Sequence, residues 1–139
     1  VAIESKANKN RLLEVGKQIA MHIAATSPKS LNIDDLDTNL VDREREVLID
    51  QAVSSGKPKD IAEKMVQGRM QKFFQDVVLN EQVSVIDGET KIKDVVTKLQ
   101  KDLDAEVKLA GFIFLKLGEG IEVSENDFAA EVAATAGIK

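Results

Sequence analysis

The sequence predicts an α+β fold: a small antiparallel sheet with flanking helices and an inserted antiparallel helical hairpin. Three observations carry this. Several segments repeat apolar residues at i, i+3 and i+4, the period of a helix lying on a core. One run, "AEVKLAGFIFLKLGEG", alternates side chains between two faces, as a strand does. Two striped helices between about Lys57 and Leu103 are joined by a connector, which favours pairing them as a hairpin.

The first helix is predicted from about Asn10 to Ala25. Leu12, Gly16, Ile19 and Ile23 form one row, flanked by Leu13, Ala20 and Ala24. Pro28 ends it by biasing Ser27 away from helical geometry. Leu31 and Ile33 alternate with polar neighbours and predict a short strand. The second helix spans about Asn39 to Ser54, with Asp37 or Thr38 as cap and Gly56 at a left-handed stop. Pro58 suits the first turn of a third helix, in which Val66, Met70, Phe73 and Val77 form a heptad seam. Gly68 inside it costs about 1 kcal/mol against Ala, which points to close helix approach or a slight bend.

A turn at "IDGET" leads to a fourth helix, with Thr90 as cap and Ile92, Val95, Val96, Leu99 and Leu103 as its stripe. Val107–Leu117 then reads as the main strand, apolar on both faces around Phe112–Leu115 and therefore central. Gly118 and Gly120 end it. A last helix is expected over about Asn126 to Ala136.

The chain has 139 residues, enough for one ordinary domain, and its 43% hydrophobic content can fill a core. Trp and Tyr are absent, which argues against stacking platforms for single strands. A net charge of −5 argues against nucleic acid as a partner. Without Cys there is no disulfide, thiol nucleophile or thiolate metal site. No apolar run has the roughly 20 residues of a membrane span. The chain starts without Met, as a processed chain or a fragment would.

Ser55-Gly56-Lys57 resembles the end of a phosphate loop, but the upstream glycine is missing and Pro58 stands where Ser or Thr is required. A helix stop followed by a helix start explains it. His22 is the only histidine, so any triad or metal cluster would rest on it alone. It lies off the Leu12–Ile19–Ile23 row beside Val15, with Met21 on the opposite shoulder. Two readings stay open: a partly exposed helix-flank residue, or a partner contact. The carboxylates sit in mixed-charge runs such as "DREREV", which are solvated faces. The residues thus select no catalytic group, cofactor or metal. Met65, Met70, Phe73 and Phe74 cover more than one helix face, so they fill the hairpin seam or meet another chain.

Four stretches in register, "GKQIAMHIAATSP", "SGKPKDIAEKMVQGRMQKFFQDVVLNEQ", "GFIFLKLGEGIE" and "DFAAEVAA", resemble bacterial-type translation elongation factor Ts from Gly16 to Ala136. The resemblance implies a guanine-nucleotide exchange factor for elongation factor Tu, working in the bacterial cytoplasm or an organellar matrix. It is a binding protein rather than an enzyme, and it holds no nucleotide itself. It also implies a carboxy-terminal piece of the family, without the Thr-Asp-Phe-Val wedge motif. On that basis residues 1–56 and 105–123 form a core subdomain, 57–104 an inserted hairpin dimerisation domain, and 124–139 a C-terminal helix module. The implied contacts to elongation factor Tu are Met21, His22, Phe112, Gly118, Gly120, Asp127 and Phe128. Met65, Met70, Phe73 and Phe74 are the implied dimerisation surface, and a self-associating hairpin without exchange activity is the alternative function. The chain departs from the family at Val83–Ser84, where Pro and an aromatic are common, which predicts a loosely packed connector. It departs again at Phe114 and Val123, where the family carries basic residues.

Overall fold

A computed structural model describes residues 1–119. The helix expected near 126–136, with Asp127 and Phe128, lies outside the described residues, as does Gly120. Six main elements follow in order: β1 (Ala2–Ser5), α1 (Lys9–Thr26), α2 (Thr38–Ser54), α3 (Lys59–Val77), α4 (Ile92–Leu103) and β2 (Val107–Gly111). The α+β class and the small antiparallel sheet are as predicted.

Local chemistry sets the helix ends. Asn8 caps α1 by accepting from Asn10 N at 2.9 Å. Ser27, in the left-handed region at φ +49°, closes it just before Pro28. Asp37 caps α2 through Asn39 N at 2.9 Å, and Gly56 turns the chain at φ +65°. For α4, the expected cap at Thr90 is wrong. Lys91 occupies the cap position, and Thr90 instead donates its backbone N–H to the Asp87 carboxylate at 3.1 Å.

The sheet joins β1 to β2 with Ile3 opposite Leu109 and Ser5 opposite Val107. The register shifts between Ala2 and Ile3, so Ala110 bulges from β2. Strand β1 was not foreseen, because its inward face carries one large apolar side chain, Ile3, beside the polar Ser5. Gly16 of α1 lies against it; a Cβ there would sit 3.4 Å from Ile3 Cδ1, in van der Waals contact.

Two strand expectations are corrected. The main strand stops at Gly111 rather than Leu117, because β1 ends its pairing at Ala2. Beyond it, Phe112 and Phe114 pack partly on the core while Ile113, Leu115 and Leu117 are 85%, 88% and 101% exposed. Leu31–Ile33 is not a strand either. Asn32 N donates to the Asp35 carboxylate at 3.0 Å and winds Ile33–Asp35 into a 3-10 turn.

The core is one cluster: Val15, Ile19 and Ile23 of α1, Leu79, Ile92 and Leu99, and Val107 and Leu109 of β2. α4 therefore lies on β2 and on the 3-10 turn Leu79–Glu81. The hairpin has a different membership from the one expected. α3 packs along α2, with Leu48, Ala52 and Met70 buried between them. Ser55–Pro58 is thus the hairpin tip, not its entrance. The stripe of α4, which suggested a mate for α3, faces the core instead.

Gly68 makes no close approach; nothing lies within 4 Å of a Cβ built there. Its cost in the helix is therefore uncompensated. Gly68→Ala is expected to stabilise the chain by about 0.5–1 kcal/mol, read as a raised urea midpoint. An unchanged or lower midpoint contradicts this.

Candidate functional site

The chemistry-bearing side chains converge where α1 meets the connector Gln82–Thr90. His22 points inward from α1 and is fully buried, so the helix-flank position expected for it is wrong. The connector covers that flank of α1, a contact sixty residues away that the local pattern could not register. His22 Nε2 lies 2.9 Å from Gln82 Oε1. Val85 donates its backbone N–H to His22 Nδ1 at 3.2 Å. A backbone N–H can only donate, so Nδ1 is bare and Nε2 carries the proton.

Gln82 is the hub. Its Oε1 receives His22 and lies 3.0 Å from Thr26 Oγ1. Its Nε2 donates to the Asp76 carbonyl at 2.8 Å. The Thr26 hydroxyl also lies 2.9 Å from the His22 carbonyl, with one proton to share between them. Every buried side-chain polar atom among the described residues has a partner. Both ring nitrogens of His22 are engaged, so it has no free lone pair for acid–base work.

The connector is tightly bonded, not loose as the Val83–Ser84 departure suggested. Ser84 N donates to Thr90 O and Gly88 N to Ser84 O, each at 2.8 Å. Ile92 N donates to Gln82 O at 3.0 Å, and Gly88 adopts φ +70°. Asp87 accepts from Glu89 N and Thr90 N. Hydrogen bonds from Thr90 first, then from the Glu89 backbone, hold its carboxyl below the ordinary range. The frame keeps three apolar side chains in solvent: Val83, Val85 and Ile86, the latter two each 53% exposed. Ile86 and Ser84 face Val15 and Gln18 across a small cavity of about 180 Å³. Met21, one turn beyond Gln18, is 59% exposed.

Glu81 fastens the connector to α4. Its carboxylate takes Lys91 Nζ and Lys93 Nζ, each at 2.8 Å. Hydrogen bonds from Lys91, then Lys93, hold it below the ordinary glutamate range against the opposing effect of burial. Folding therefore favours the ionised form. Its stabilisation is complete above roughly pH 5 and fades as acid carries the pH down through the lowered folded-state value. Glu81→Gln should cost about 1 kcal/mol or less at pH 7, since Lys93 is half exposed. The gap from the unsubstituted chain should close on acidification in urea titrations. A gap that is constant with pH would show that the ion pairs contribute nothing.

The remaining sequence-predicted residues are dispersed. Phe112 is half-buried against the core. Gly118 sits in the turn after it at φ +84°. On α3, Met70 is buried and Met65, Phe73 and Phe74 are half-buried, with the two phenyl rings 5.7 Å apart. Met70 and Phe74 line a groove of about 820 Å³ between α2 and α3, together with Ile49 and Val53; Met65 and Phe73 lie outside it. Gln82, Thr26 and Val85 were not singled out in the sequence. Their only signal is Gln82 itself, three residues after the apolar "VVL" run. Among the described residues no group of three His, Asp or Glu side chains is placed to hold a metal. None of the described helices is long and apolar enough to cross a membrane.

Comparison with known proteins gives consistent matches. A family model described as elongation factor TS matches residues 1–119. Elongation factor Ts of Rhodospirillum centenum is 56% identical over 137 residues, covering 99% of this chain and 45% of its own length. That of Paramagnetospirillum magneticum is 56% identical over 139 residues, 100% of this chain and 45% of its own. That of Gluconobacter oxydans is 52% identical over 138 residues, 99% of this chain and 44% of its own. The chain thus spans less than half the length of these curated relatives.

Proposed function

The chain belongs to the elongation factor Ts family, and from that premise we propose that it binds elongation factor Tu and promotes release of its guanine nucleotide. The observation that carries the reading is 56% identity across nearly the whole chain. The described surface suits a binding protein. It offers exposed apolar side chains on a hydrogen-bonded frame, and its one histidine is engaged on both nitrogens. Exchange needs no bond-making group. It needs a surface that holds the nucleotide-free partner better than the nucleotide-bound one. Met21, Phe112 and the turn at Gly118 are the described residues we assign to that surface; His22, also implied as a contact, is fully buried and is left out of it. Gly120, Asp127 and Phe128 complete the assignment outside the described residues. The cytoplasm, or an organellar matrix, is where such a factor would work.

Stopped-flow release of a fluorescent GDP analogue from elongation factor Tu tests this. Addition of the chain should accelerate release in a concentration-dependent manner. An unchanged rate at saturating chain would overturn the reading.

One observation favours a second reading, self-association. The α2–α3 groove leaves Ile49 and Val53 exposed beside half-buried Phe74. Sedimentation should then give a dimer that Val53→Asp dissociates; a monomer across the concentration range removes this reading.

A further inference from the structure

The His22 cluster is more elaborate than core filling requires. A leucine would fill the space without any need for matched partners, whereas a buried imidazole must have both nitrogens satisfied. The two bonds run to different places. Nε2–H reaches the side chain of Gln82, which anchors the end of α3 through the Asp76 carbonyl. Nδ1 reaches the backbone of Val85, in the middle of the exposed apolar connector. Among the described residues Val85 N–H has no other acceptor; the neighbouring amides are taken by Thr90 O and Ser84 Oγ. The Nδ1 lone pair therefore fixes the peptide plane between Ser84 and Val85, and with it the direction of the Val85 and Ile86 side chains.

We infer that His22 is a positioning residue for binding of the partner protein: it touches no partner, and its unprotonated Nδ1 holds the Val85–Ile86 segment in the orientation that presents these side chains. This rests on the exchange-factor reading, and it assigns Val85 and Ile86 to the same surface as Met21. The chemistry predicts an asymmetry. An asparagine at position 22 can place its carbonyl oxygen where Nδ1 lies, so it retains the acceptor for Val85 and loses the donor to Gln82. A glutamine can place its amide nitrogen where Nε2 lies, so it retains the donor and loses the acceptor. Each variant loses one hydrogen bond: Gln82 Oε1 keeps Thr26 in the first, and Val85 N–H loses its acceptor in the second, so a purely structural role would make affinity follow the midpoint.

The test compares the unsubstituted chain with His22→Asn, His22→Gln and Val85→Asp/Ile86→Asp. Affinity for nucleotide-free elongation factor Tu and thermal midpoint are measured for each. Expected is binding within about threefold of the unsubstituted chain for His22→Asn. His22→Gln should bind at least tenfold more weakly, a loss larger than its difference in midpoint accounts for. The double aspartate variant alters side chains that are each 53% exposed, so it should remain folded and lose at least tenfold in binding. It remains informative if the His22 variants fail to fold. Nitrogen-15 imidazole spectra should show the proton on Nε2. Equal affinities for the Asn and Gln variants, affinity that merely follows the midpoint, a proton on Nδ1, or full binding by the double aspartate variant would each overturn the inference. Absence of binding by the unsubstituted chain would instead overturn the exchange reading on which it rests.

Discussion

Replacing Gln82 with alanine is expected to destabilise the chain by about 2–4 kcal/mol. The substitution strips partners from His22 Nε2–H and the Asp76 carbonyl together, and leaves Thr26 with only the His22 carbonyl. Each buried group left unsatisfied costs about 1–3 kcal/mol, and partial relaxation or water entry recovers some of that. A double-mutant cycle makes the argument specific. His22→Leu and Gln82→Leu should each be costly alone. Combined, they should cost much less than their sum, because neither then leaves an orphan facing the other. Urea unfolding of the four chains decides it. Additive losses would mean that the bond at 2.9 Å contributes nothing beyond packing.

Leu79→Ala should be as damaging for an unrelated reason. Leu79 is fully buried and sits in the core cluster with Ile23, Ile92 and Leu99. Its backbone is also committed, with its N–H donating to Ser30 O at 2.9 Å. The site is clamped and cannot collapse around a smaller side chain. The loss should lie in the upper part of the roughly 2–5 kcal/mol range for such truncations. Leu117→Ala, fully exposed, is the control and should change stability by less than about 0.5 kcal/mol. Similar losses at both positions would remove the distinction between core and surface drawn here.

The helices were legible in the sequence because their cues are local. Asp37, Gly56 and Pro58 each act within a turn of their own position, and the apolar period needs only a few residues to declare itself. Pairing was less legible. α2 and α4 both carry a stripe that could meet α3, and only the short Ser55–Pro58 turn brings α2 back alongside it. The run after Gly111 read as a central strand because Phe112 and Phe114 alternate with Ile113 and Leu115. Yet a strand needs a mate, and β1 is four residues long. The site was the least legible part. The burial of His22 depends on Gln82 and Val85, and no spacing rule connects residues so far apart.

The β1–β2 ladder has a kinetic corollary. Bringing Ser5 opposite Val107 closes a loop on the order of a hundred residues, an entropy cost that must be met before the ladder gives anything back. The α2–α3 turn closes over a handful of residues. The hairpin can therefore form on the microsecond scale of local events, while the sheet waits for most of the core to assemble. Substitutions in β1 should then act mainly on the unfolding rate and leave the folding rate nearly untouched.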